Sequence, residues 1–272
     1  MIKFFRNIRQ NLLKEGKTSK YIKYAVGEII LVVIGILIAL QVNNWNELRK
    51  QNVQIKKYAK SLVQDLKKDI AMMDTINNTA KQISIRIDSL ANYVRISKIE
   101  EVSNLDIICF TWVRLYRPYS WNRATLEEIK SSGSLRLIAN EDISKRIVEY
   151  ESLSRHMDED YYEDKKQSEI ANQILDNVVN YNYPNMTELG EMLRLTTNYG
   201  SINESFNNPI YSEAKLYDLT LNQEKINLLN NSVNSLIRLK YLLSIRTQIE
   251  LPDLIRKGQE LINLLKQEYH LN

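Results

Sequence analysis

His156 and Asp160 stand four residues apart in the stretch HMDEDYYED, with Glu159, Glu163 and Asp164 around them. On a helix this spacing puts an imidazole and a carboxylate on one face, as a metal ion requires. The only other histidine is His270, at the far end of the chain, and an acidic run on a long helix is normally a solvated face. The sequence therefore assigns no metal ligands. Ser131, Ser132 and Ser134 surround Gly133, but there is no G-x-S-x-G elbow, no glycine-rich phosphate loop and no histidine within reach along the chain. A helix stop followed by a turn accounts for them. Carboxylates are plentiful, yet no pair stands in an apolar setting that would raise one for acid–base work. The expectation is a protein with no catalytic residue and no cofactor.

Two further groups have chemical potential. Cys109 is the single cysteine, so an intrachain disulfide and any CxxC metal or redox motif are excluded, and it reads as a buried thiol. Trp112, Tyr116, Tyr119 and Trp121 form the densest aromatic cluster. Trp112, Tyr116 and Trp121 are the expected walls of any small-molecule pocket, with ordinary core packing as the alternative use of the same rings.

The element that positions everything else is AVGEIILVVIGILIALQV, residues 25–42, which carries one charge and no helix breaker beyond two glycines. At about 1.5 Å of rise per residue, a helix over this stretch and its flanks matches the hydrocarbon thickness of a bilayer. Tyr21 and Tyr24 at one end and Trp45 at the other are placed as anchors at the interfaces. Seven basic residues precede the span against one acid, Glu15, which predicts a cytoplasmic N-terminus. A cleaved signal peptide is the rival, but it needs a shorter apolar core and a small-x-small site, and neither Ala39 with Gln41 nor Leu37 with Ala39 provides one.

Glu28 lies inside the span and shares a helical face with Gly35 and Ala39. An intramembrane acid usually meets a partner, and small residues let a second helix approach closely, so this face is the candidate packing surface. The alternative is that Glu28 lies near the inner boundary and reaches to water. Before the span, Met1, Phe4, Phe5, Ile8 and Leu12 recur at helical spacing among lysines and arginines, describing a short interfacial helix ended by Gly16. The formal charge of +4 is concentrated in this tail and the remainder is slightly acidic, so a nucleic-acid partner is not expected.

Beyond the span, Leu62, Leu66, Ile70, Met73, Ile76, Ala80, Ile83, Ile87, Leu90 and Val94 repeat by three and four without a break. A near-continuous helix from Ser19 to about Ser97 follows, with Asn77–Thr79 its weakest point. Further helices are expected over Leu105–Tyr116, over Arg123–Ser131 with Asn122 as its cap, over Asn140–Tyr181 and over Met186–Leu195. Thr196–Pro209 reads as a polar loop. Asn222–Ile249 and Pro252–Glu268 close the chain as two helices or one kinked at Pro252. No hairpin turn or sustained alternation is present. The fold class is all-α: an N-terminal transmembrane helix continuing into a long stalk helix, followed by an antiparallel helical bundle. The organisation is a basic cytoplasmic segment at 1–18, an anchor at 19–46 and a periplasmic helical domain at 47–272.

The run FFRNIRQNLLKEGKTSKYIKYAVGEIILVVIGILIALQVNNWNE resembles the opening of a Bacteroidota family of single-pass membrane proteins, the domain of unknown function 6090 family. LEEIKSSGSLRLIANEDISKRIVEYE is similar to that family's second block, a Ser-Ser-Gly junction followed by a tyrosine-ending helix, although here a single Tyr150 stands where an aromatic pair is expected. The resemblance implies an inner-membrane anchor with a periplasmic helical domain and supplies no catalytic residues. The expected partners are the lipid bilayer and either a second copy of the chain or another membrane protein. The expected role is a non-enzymatic interaction or scaffold protein, with an extracytoplasmic ligand sensor as the alternative.

Overall fold

A computed structural model describes residues 18–111, 118–199 and 202–271. The first helix, α1, runs Thr18–Ile96. It passes through Asn77–Thr79 without a break, and Thr75 and Thr79 turn their hydroxyls back onto the carbonyls of Ala71 and Thr75. No strand occurs among the described residues, and the fold is all-α. The chain divides into two compact units, Met1–Lys57 and Tyr58–Asn272.

In the first unit, α1 is long and apolar enough to cross a membrane, and its most apolar stretch has no buried residue. Ile29, Val33, Ile36 and Leu40 all stand exposed, as does Trp45 at 66%. Tyr21 and Tyr24 fall in the first turns of α1, but their side chains lie outside the described part.

The second unit is built around three long legs. One is the remainder of α1, whose stripe from Leu62 to Val94 is buried at every position that the three-four spacing marks except Ile70, which is half-buried. Helices α2 (Asn104–Thr111) and α3 (Ala124–Ser131) bring the chain back along α1. On this return path the Ser120 amide meets Met72, Asn122 reaches Asp69, Thr125 donates to Asp65, and the Tyr58 hydroxyl donates to Glu128. Gly133 then adopts φ +69°, a left-handed conformation that glycine reaches without strain, and turns the chain into the second leg. That leg is α4, Glu141–Leu175, whose first amides at Asp142 and Ile143 donate to the Asn140 side chain.

A cap follows, made of α5 (Met186–Tyr199), α6 (Ile202–Phe206) and α7 (Pro209–Lys215). The third leg is α8 (Leu228–Ile245), a π turn at Arg246–Glu250 and α9 (Leu251–Tyr269). It runs antiparallel to α4 throughout, as the pairings Ser232–Ala171, Gln167–Ser235, Lys257–Glu149 and Arg146–Glu260 show. It is also antiparallel to α1, through Lys240–Asp88 near one end and Gly258 against Ile70 near the other. The unit is therefore an up-down-up-down bundle in which the broken path from α2 to α3 makes the first descent, between the legs α1 and α4.

Three expectations change, and the alternatives at Pro252 are decided. Asn122 does not cap α3: Arg123 holds that position without a side-chain bond, because the Asn122 side chain and amide are both committed to Asp69. The helix from Asn140 stops at Leu175 rather than Tyr181. Beyond it the Asn104 side chain accepts at Oδ1 from the Asn180 amide and donates from Nδ2 to the Asn180 carbonyl, groups that a continuing helix would bond internally. The supposed loop at 196–209 contains helix, since α5 extends to Tyr199 and α6 inserts Phe206 between Phe110 and Tyr211. Pro252 does not split the third leg. The π turn before it re-registers the backbone, so that the missing N–H falls in the first turn of α9, where it costs least.

Candidate functional site

Among the described residues of the second unit, three polar constellations have the chemistry of a site, and the sequence pointed to two of them. The first is a pocket of about 310 Å³ between the return path and α4, lined by Pro118, Tyr119, Ser120, Trp121, Arg123, Asp158, Tyr161 and Tyr162. Tyr119 stacks on Trp121 with ring centroids 5.3 Å apart, and Tyr161 meets Tyr119 edge-on. The Trp121 indole N–H donates to Asp158 at 2.8 Å, and Arg123 pairs with the other oxygen of that carboxylate at 2.8 Å. Arg123 also donates to the Ser154 carbonyl and lies over the Trp121 ring at 5.7 Å, while its Nε is buried without a hydrogen-bond partner. The arrangement offers aromatic faces, a fixed carboxylate and a cationic floor, which suits a small amphipathic ligand. Of the rings that the sequence grouped, Trp121 and Tyr119 meet here; Trp112 and Tyr116 lie outside the described residues.

The second constellation contains the His156–Asp160 pair, with Nε2 and Oδ2 3.5 Å apart. The acidic run is only half a solvated face: Glu159 and Glu163 are exposed, whereas Asp160 is 7% exposed and Asp164 fully buried. Beside them lies Arg246, carried in by the π turn and itself 4% exposed. Its guanidinium reaches Asp160 at 3.0 Å, Glu250 at 2.8 Å, Asp164 at 3.4 Å and Glu163 at 3.7 Å. Burial pushes the Asp160 carboxyl up to about 6 against the opposing pull of Arg246. A buried setting that raises a carboxylate thus exists, although charged groups rather than apolar ones surround it. The signal was present, because Asp160, Asp164 and Arg246 each fall on the buried stripe of their own helix, in phase with Met157, Ala171 and Leu243.

The third constellation has no counterpart in the sequence reading. At the cap, Asp218 accepts from the Ser103 hydroxyl, the Leu105 amide, the Tyr183 hydroxyl and Lys215, while Asp106 accepts from Tyr93, Tyr211 and Lys215. Burial works to raise the Asp218 carboxyl, and the bonds from Ser103, Lys215 and Tyr183 together overcome it, holding the group below its usual 3.8. Cys109 is buried nearby, and burial lifts its thiol to about 12, which makes it inert as a nucleophile. The hydroxyl of Ser132 is spent on the Glu128 carbonyl at 2.7 Å and on Ser134 at 2.8 Å, as befits a helix stop.

With these sites placed, comparison with known proteins gives one decisive match. The model of a family of unknown function, DUF6090, matches residues 28–178. The chain belongs to this family. The part matched to DUF6090 begins at Glu28 in the apolar stretch and ends just past α4, so it includes the Trp121 pocket and the acids of α4 but not Arg246 or Glu250. No curated protein and no solved structure matches the chain.

Proposed function

We propose that this DUF6090 chain is a single-pass inner-membrane protein that works without catalysis, as a helical interaction or scaffold module outside the cytoplasm. Its N-terminus stays on the cytoplasmic side and its bundle lies in the periplasm, as the basic flank before the span favours. The observation that carries the reading is the apolar stretch near the start of α1, whose most apolar window holds no buried residue. Lipid is the solvent that such a surface requires. Within it, a Cβ added at Gly35 would meet nothing within 4 Å, so the face shared with Glu28 and Ala39 has room for a second helix to approach.

Gly35→Leu should weaken self-association of the detergent-solubilised chain about five- to tenfold, on the order of 1 kcal/mol, read by analytical ultracentrifugation across a dilution series. A wild-type chain that stays monomeric at every concentration would remove self-association from this reading.

The Trp121 pocket favours a second reading, a ligand sensor that signals through a membrane partner. In that case native mass spectrometry of protein purified from membranes will show a small bound molecule, and Trp121→Ala will release it. Wild-type spectra with no bound mass would count against the sensor.

A further inference from the structure

We propose that His156, Asp160 and Glu250 bind a divalent transition metal of the zinc class, linking α4 to the π turn that precedes α9. One ligand atom from each of the three residues lies within 4.8 Å of the others. Zinc bonds to histidine nitrogen and carboxylate oxygen are about 2.0–2.2 Å, so two ligands of a tetrahedral site stand about 3.4 Å apart. The 3.5 Å between His156 Nε2 and Asp160 Oδ2 matches that edge.

Asp160 supplies an independent observation. Its side chain is more than nine-tenths buried, one oxygen is ion-paired with Arg246 at 3.0 Å, and the other, Oδ2, has no hydrogen-bond partner and faces the imidazole. A buried carboxylate oxygen left in that state calls for an ion or a donor. Arg246 also holds one oxygen of Glu250 at 2.8 Å, which fixes that carboxylate while its second oxygen can serve a metal. The guanidinium thus acts on the far side of both carboxylates, as partners behind metal ligands do. Glu159 stands 3.9 Å from His156 Nδ1, on the side where a zinc-bound imidazole commonly meets a carboxylate.

Charge favours a cation as well, because Asp160, Glu163, Asp164 and Glu250 surround Arg246. Entry is open: His156 is 56% exposed and lies on the rim of a pocket of about 130 Å³ with Leu153, Met157, Ile249 and Leu254. Three protein ligands leave a fourth position for water. The site was unreadable in the sequence, where a lone histidine in an acidic run argued against a metal, because the third ligand comes from a helix about ninety residues away.

The test is calorimetric titration of the EDTA-stripped, detergent-solubilised full chain with ZnCl2, alongside Co2+, whose visible absorption reports four-coordinate geometry. Saturable binding of one zinc per chain is expected, weakened at least about tenfold by His156→Ala and by Glu250→Gln. His156→Ala changes an exposed ring and decides the matter by itself should Glu250→Gln unfold the third leg. Absence of saturable zinc binding, or binding that His156→Ala leaves within about twofold of wild type, would overturn the site.

Discussion

Arg246→Met is expected to lower the stability of the bundle by about 3–5 kcal/mol, among the largest effects of any single substitution in this chain. Methionine preserves the length and apolar packing of the arginine stem, so the loss isolates the guanidinium. Without it, Asp164 stays fully buried and Asp160 nearly so, and both lose the buried guanidinium that lies 3.4 Å from the one and 3.0 Å from the other. An uncompensated buried charge costs far more than the net value of the pair it came from. Urea denaturation of the solubilised chain, followed by helical circular dichroism, measures the effect. Adding Asp160→Asn and Asp164→Asn to Arg246→Met should recover part of the loss, because neutral amides need no counter-charge. A cost under about 1 kcal/mol for Arg246→Met would show that the carboxylates are stabilised by something else.

Asp218→Asn should cost about 2–3 kcal/mol and change how stability depends on acid. Four donors converge on this carboxylate, from Ser103, Leu105, Tyr183 and Lys215, and an amide would turn a donor of its own toward some of them. Since the folded Asp218 carboxyl lies below its usual 3.8, its contribution is fully present above that value and is lost as pH falls through the depressed one. Burial works to lower the Lys215 ammonium, but its bonds to Asp218 and Asp106 outweigh it and hold the group above 10.5. Its contribution is therefore complete below 10.5 and lost as pH rises past the folded value. The network is at full strength between these limits. Denaturation midpoints taken from about pH 6 down to about pH 3 should fall less steeply in Asp218→Asn than in wild type. Parallel acid limbs would mean that Asp218 titrates no differently once folded.

Both effects come from residues whose roles the sequence did not announce, which marks where local reasoning ends. The spacing of Leu62 to Val94 was enough to specify one unbroken helix, because each of those positions is defined by neighbours three and four residues away. Gly133 as a stop and Asn140 as a cap were legible for the same reason, since a left-handed turn and an N-cap are completed within a few residues. The apolar span at residues 25–42 is likewise a property of consecutive side chains. Pairing His156 with Asp160, and grouping Tyr119 with Trp121, needed no more than one turn of helix or one short loop.

Only the tertiary structure decided what those residues face. Asn122 is a good cap by type, but Asp69, on another helix, takes both its side chain and its amide. The acids of α4 look solvated until Arg246 arrives from a leg that begins more than fifty residues later, and the Thr196–Pro209 stretch reads as loop until Phe206 finds Phe110 and Tyr211. Helix formation is governed by short-range backbone geometry and periodicity, which a sequence displays directly. Burial and charge compensation depend on which helices become neighbours, and that is set by the packing of the whole bundle.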